Sequence, residues 1–294
     1  MLRMENITKR FGKVRALDGV HLEVRPGEIY GFIGPNGAGK TTAIRVLMGL
    51  IRADGGNATV FGKDVWKDAV EIHRRVAFVP GDVHLWPNLT GGEVIDLFLR
   101  LQSKDKKETK EHWLRRFDLD PTKKCRTYSK GNRQKVALVA AFSQEADLYI
   151  LDEPTSGLDP LMEQVFQEAL RERKEKGSSI LLSSHILSEV EKLCDRVSII
   201  RQGKIIETGT LSELRHLTHS DVRFRTERKV EGLEQIEYVS DVHTADGEMR
   251  LRVDGEHIGA LLEHITPYGI RSLQCMPPTL EELFMRHYET EAHE

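Results

Sequence analysis

The chain has 294 residues, 30% of them charged, and a net charge of −3 at neutral pH. That length suits one large domain, or one large and one small, with ample material for a buried core. The near balance of charge excludes the basic, one-sided footprint of a nucleic-acid binder.

The N-terminal run MLRMENITKR lacks the apolar core of a signal peptide. No run reaches the roughly 18–20 apolar residues that cross a bilayer. The most apolar stretches, Val136–Phe142 and Ser179–Leu187, read as buried elements. These features predict a cytoplasmic protein. Cys125, Cys194 and Cys275 are far apart and match no metal spacing, so free thiols are expected.

Along the chain, Glu28–Ile33 (EIYGFI) reads as a buried strand and Lys40–Leu50 (KTTAIRVLMGL) as a helix. Between them lies Gly34–Thr41, GPNGAGKT, a full match to G-x-x-x-x-G-K-[ST]. Strand, glycine loop and helix in that order make a phosphate cradle. The glycines let backbone N–H groups turn inward, and the helix N-terminus favours an anion. Lys40 can reach the β- and γ-phosphates, and the Thr41 hydroxyl can bind magnesium.

The middle segment, about 87–140, reads as helix-rich and polar. Its charge run Ser103–Glu111 reads as a solvated helix face or loop. Within this segment Tyr128–Gln134 reads YSKGNRQ, a helix start with Ser129 as a cap. Asp147–Leu151 and Ser179–Ser183 read as further buried strands. The first ends in Asp152-Glu153, where Asp152 suits magnesium and Glu153 can orient or deprotonate water. A helix N-terminus or a surface turn is the alternative for this pair alone. In an open parallel sheet such motifs converge at the carboxyl ends of the strands.

After about His219 the pattern changes. Val222 and Phe224 alternate, as do Met249, Leu251 and Val253 beyond an Asp246-Gly247 turn signal. Ile258, Leu261, Leu262 and Ile265 sit at helical spacing, and Thr279 with Glu282 reads as a capping box. The expected organisation is a nucleotide-binding domain over 1–218 and a small α+β domain over 219–294.

The ordered set of motifs resembles the ABC (ATP-binding cassette) ATPases over about residues 1–215. YSKGNRQ resembles their signature, Ser156–Asp159 (SGLD) their D-loop, and His185 after SSILLSS their switch histidine. The resemblance implies an α/β P-loop NTPase with an antiparallel β subdomain and a helical subdomain at about 87–140. It implies that Phe11 stacks on adenine, although Phe11 alone reads equally as a core aromatic. The implied nucleotide-binding set is Gly34, Pro35, Asn36, Gly37, Ala38, Gly39, Lys40, Thr41 and Thr42. Thr41 and Asp152 would hold Mg2+, Glu153 would activate water, and His185 would contact the γ-phosphate. A lone His185 would otherwise read as structural. Ser129, Lys130, Gly131 and Asn132 would meet the ATP of a second subunit, and Asp159 would communicate across that dimer.

Two departures stand out. After VAFVP, where the family carries glutamine, the chain has Gly81 and then Asp82. Either Asp82 substitutes, water fills the position, the metal loses one protein ligand, or Asp82 is a surface turn. Lys130 and Asn132 stand where Gly and Gln are common. VPGD…LT, YSKGNRQK and the PTLEELF ending resemble ATPase subunits of ABC-2 type multidrug or antibiotic exporters. The implied partners are a polytopic permease on a separate chain and a second ATPase subunit, with no nucleic acid, on the inner membrane face. A ribosome- or DNA-acting ABC protein and a P-loop kinase or structural nucleotide binder are the alternatives. One phosphate loop, no heptad array, the signature and Glu153 argue against them.

Overall fold

The computed structural model describes residues 1–101, 107–216, 219–245 and 247–276. The chain separates into two compact units, Met1–Thr208 and Gly209–Glu294. The change of character read from the sequence, at residue 219, comes later.

The first unit opens with an antiparallel layer. β1 (Leu2–Phe11) and β2 (Val14–Val24) form a hairpin, and β1 also pairs with the later β4 (Gly55–Val60), which is followed by the short β5 (Lys63–Asp64). The strand order is β2-β1-β4-β5. Alternate residues of β1 and β2, among them Leu2, Met4, Leu22 and Val24, are buried in the main core.

A second, six-stranded sheet carries the motifs. Its strands are β3 (Ile29–Ile33), β6 (Val76–Val79), β7 (Leu148–Asp152), β8 (Ser179–Ser184), β9 (Arg196–Arg201) and β10 (Lys204–Thr210), in the order β10-β9-β3-β8-β7-β6. β9, β3, β8, β7 and β6 are mutually parallel. β3, β7 and β8 are buried at every position, as expected of parallel strands covered on both faces. The helix α1 (Lys40–Leu47) follows β3 and buries Ala43, Ile44, Val46 and Leu47 in the same core. It stops three residues short of the Leu50 expected. Gly49 adopts φ 61°, and the N–H groups of Gly49 and Leu50 return to the carbonyls of Val46 and Arg45. That is a glycine-terminated helix end.

Between β5 and β6 lies the short helix α2 (Ala69–His73). The helical part comprises α3 (Gly91–Leu101), α4 (Lys107–Arg116) and α5 (Lys130–Phe142). Thr90 and Glu93 close a reciprocal capping box that starts α3, with bonds of 2.6 and 3.2 Å. Lys110, inside the charge run expected to be solvated, instead ties α4 to α3 through Asp96 at 2.6 Å. Trp113, Phe117, Phe142, Tyr149 and Phe166 stack into one aromatic cluster. It joins α4 and α5 to β7 and to α6 (Pro160–Glu175). Helix α7 (Leu187–Leu193) follows β8.

The second unit contains α8 (Leu211–His216), β11 (His219–Thr226), β12 (Val239–Ala245), β13 (Glu248–Asp254), α9 (Ile258–Ile265) and β14 (Ile270–Met276). Its antiparallel sheet has the order β12-β13-β11-β14. The expected alternation appears: Val222, Phe224, Leu251 and Val253 form a core with Leu261 and Ile265 of α9. Asp246, the Thr279–Glu282 capping box, the PTLEELF ending and residues 103–106 of the charge run lie outside the described residues. The three cysteines are free, Cys125 and Cys194 buried and Cys275 exposed.

Candidate nucleotide site

Register brings the motifs together. Ile33, the last residue of β3, pairs with Ser184 at the end of β8, and Ser183 pairs with Asp152 at the end of β7. Val79, the last residue of β6, pairs with Leu151. Because these strands are parallel, the glycine loop, the acidic pair, the His185 turn and the Pro80–Asp82 turn leave one edge of the sheet together.

The glycine loop wraps a cleft of about 390 Å³ lined by Pro35, Asn36, Gly37, Gly39, Lys40, Thr41, Thr42 and Glu153, among others. Gly39 has φ 113°, and a Cβ there would overlap the Ala16 carbonyl, so no other residue fits this turn. Gly34 and Ala38 are absent from the lining: both are buried behind the loop, and the Ala38 N–H bonds the Pro35 carbonyl at 3.2 Å.

Lys40 is only 4% exposed. Its Nζ donates to the carbonyls of Gly34 at 2.6 Å and Pro35 at 3.1 Å, and lies 3.3 Å from Glu153 Oε1. The other Glu153 oxygen, Oε2, lies 3.2 Å from His185 Nδ1. One carboxylate thus sits between the loop lysine and the histidine. Glu153 itself has φ 46°, a strained conformation for a non-glycine residue. Its N–H is held by the Ser183 carbonyl at 3.1 Å and hydroxyl at 3.2 Å. The alternative reading of the pair as a plain surface turn does not account for this clasp.

Asp152 is buried, with Oδ1 accepting from the Ser183 hydroxyl at 2.5 Å. A Cβ built on Gly81 would stand 3.3 Å from Asp152 Oδ2, so a side chain there would crowd that oxygen. Asp82 turns away. Its side chain is 82% exposed and its carboxylate pairs with exposed His84 at 2.9 Å. Of the alternatives for Asp82, this geometry favours a surface turn over a substitute for the glutamine. Asp82→Ala is expected to leave the magnesium dependence of ATP hydrolysis unchanged. Hydrolysis rates measured across a magnesium titration check this, and a shifted midpoint would restore Asp82 to the site.

The Tyr128–Gln134 segment is tied to the Pro154–Asp159 segment of its own chain. Ser129 caps α5 by accepting from the Asn132 N–H at 3.2 Å. Lys130 Nζ donates to Ser156 Oγ at 2.7 Å, and Gln134 Nε2 to the Pro154 carbonyl at 2.9 Å. A Cβ on Gly131 would overlap the Gly157 carbonyl oxygen, which explains the glycine. Asp159 caps α6, its Oδ1 accepting from the Met162 N–H at 3.0 Å ahead of Pro160. None of Ser129, Lys130, Gly131 and Asn132 lines the glycine-loop cleft of their own chain.

Phe11 is no core aromatic. It is 51% exposed at the tip of the β1–β2 hairpin, with Lys9 Nζ 5.6 Å from its ring centre. Its cross-strand partner Val14 begins the run Val14–Ala16 that lines the cleft. Motif reading missed that run and also Gln202-Gly203. These two residues turn β9 into β10, both at positive φ as a two-residue hairpin requires. Gly203 locks them to the loop through a 2.9 Å bond from its N–H to the Ala38 carbonyl. A Gln-Gly hairpin signal is present in the sequence, but nothing local says that it faces the glycine loop.

Residues 17–156 match a family model described as ABC transporter, and residues 209–288 match one described as ATP-binding protein DrrA1-3-like, C-terminal domain. The chain is 31% identical to the linearmycin resistance ATP-binding protein LnrL of Bacillus subtilis (strain 168), over 97% of each chain. It is 33% identical to the bacitracin transport ATP-binding protein BcrA of Bacillus licheniformis, over 97% of this chain and 96% of the relative. A solved structure described as the ATP binding subunit of an ABC transporter superposes with a TM-score of 0.69 at 33% identity. It covers 74% of this chain and 92% of the other.

Proposed function

The chain belongs to the ABC transporter family, as an ATP-binding and ATP-hydrolysing subunit, and from that premise we propose how its residues divide the work and what it powers. The observation that carries the reading is the contact of Glu153 with both Lys40 and His185 at the rim of one glycine-loop cleft.

Lys40 and the loop amides bind the phosphates, and Phe11 offers its exposed ring to adenine. Glu153 takes the proton of the attacking water as it adds to the γ-phosphate. His185 meets that phosphate and holds the Glu153 carboxylate in place. The donor set fits magnesium. Asp152 and Thr41 present hard oxygens, and no cluster of three or more His, Cys, Asp or Glu competes among the described residues. A site with few protein ligands suits an ion that keeps waters and binds substrate phosphates. When bound there by Thr41 and Asp152, Mg2+ supplies charge neutralisation on the phosphates.

The Ser129 turn lies outside its own cleft, which supports its use on the ATP of a second subunit. The first-turn N–H groups of α5 suit an anion there, and Asp159 lies on the same tied segment. Lys130, spent on Ser156, then acts by fixing the D-loop rather than as a free charge.

No helix among the described residues is long and apolar enough to cross a membrane. Family membership supports a permease on a separate chain and a peripheral place at the inner membrane face. An apolar patch suits such a partner: Trp86 is 52% exposed, Phe98 lies 6.4 Å from its ring centre, and Leu101, three residues after Phe98 on α3, is exposed. The named relatives support export of an antibiotic-like, amphipathic cargo. The test is to reconstitute the chain with its permease in proteoliposomes and measure ATP hydrolysis. Stimulation by linearmycin or bacitracin is expected. Hydrolysis that no such compound changes, with permease present, would contradict the cargo class.

A further inference from the structure

One buried acid stands between the two catalytic turns and is used by neither. Glu189, on α7, is 4% exposed on a face that otherwise buries Val190 and Leu193. Its Oε2 accepts from the Ser184 hydroxyl at 3.1 Å. Ser184 Oγ in turn accepts the Ile186 N–H at 2.9 Å, which shapes the turn carrying His185. On the other side Thr155, two residues after Glu153 and itself buried, interacts with the same carboxyl. That contact falls short of a regular hydrogen bond: among the described residues Oε1 has no partner of ordinary geometry.

A buried acid with one carboxyl oxygen unpaired costs stability. A leucine would serve this apolar face better if packing were its whole purpose. The carboxyl instead holds the hydroxyl of the residue before His185, whose side chain meets Glu153 at 3.2 Å. We propose that Glu189 is a positioning residue that clamps the Ser184–Ile186 turn, fixing the Glu153–His185 contact for hydrolysis. The proposal rests on the reading of Glu153 and His185 given above. Burial pushes the Glu189 carboxyl above the usual carboxylate range, and Glu163 on α6 adds to this. Thr155, Ser184 and His185 oppose it. A glutamine amide can accept the Ser184 hydroxyl as the carboxyl does.

The test compares Glu189→Leu, Glu189→Gln and Glu153→Gln, each in the full chain. Glu189→Leu keeps the volume and removes the clamp. It is expected to melt no lower than wild type, to keep KM for ATP within twofold, and to lose kcat by about tenfold or more. Glu189→Gln is expected to retain at least a third of wild-type kcat. Should the leucine variant fail to fold, Ser184→Ala removes the same bond and carries the same expectation. A folded clamp-less variant with wild-type kcat overturns the proposal. So does a glutamine variant as slow as the leucine one. If Glu153→Gln itself turned over normally, the reading of the site would fail and the clamp with it. An inert Glu153→Gln beside a fully active Glu189→Leu would sink the clamp alone.

Discussion

Glu153→Gln is expected to bind ATP as wild type does and to lose turnover by about 10²–10⁴-fold, the usual effect of removing a general base. The amide keeps the shape of the carboxylate, so the strained backbone at φ 46° and its two bonds to Ser183 are undisturbed. His185 can still bond the side chain. What disappears is the basic oxygen facing the cleft and the negative charge 3.3 Å from Lys40. Lys40 keeps its carbonyl partners, so the loop should hold its form. The variant should also trap ATP between subunits as a stable dimer. Single-turnover hydrolysis and size-exclusion chromatography with ATP check both parts. Wild-type turnover would remove Glu153 from its role.

Lys40→Ala is expected to weaken ATP binding by at least tenfold. Lys40 is the only long cation in the glycine loop, and a hydrogen bond to a charged group contributes about 1.5–3 kcal/mol. The side chain is nearly buried, with three oxygens around it. Its loss therefore also leaves Glu153 without its lysine partner. Titration with a fluorescent ATP analogue measures the effect, and a melting curve separates it from unfolding. Unchanged affinity would detach Lys40 from the phosphates.

The glycine loop, Asp152-Glu153 and His185 were legible because each closes a buried strand of the same sheet. Strand order then aligns them without further information. The small α+β unit was legible from the period-2 and helical spacing of a few residues, Val222, Phe224, Leu251, Val253 and Leu261. Other features depend on contacts between residues distant in sequence. Lys130 reaches Ser156, 26 positions away, and Gln134 reaches Pro154, 20 positions away. No local pattern announces either. The Gln202-Gly203 hairpin meets the loop at Ala38 only after the sheet has formed. Asp82 shows the converse: its chemistry suits a metal, but one residue past Gly81 it turns outward to His84. Helix α1 ended early because Gly49 could supply the positive φ that stops it.

An ATPase completed by a second copy should respond to mixing two inactive variants. Ser129→Arg blocks the turn offered to the partner's ATP, and Lys40→Ala disables the loop. In a mixed dimer one site carries both defects and the other neither. Each variant alone is expected to be inactive, and ATP hydrolysis is expected to reappear when the two are combined, rising with protein concentration. Full hydrolysis by Ser129→Arg alone would contradict the shared site.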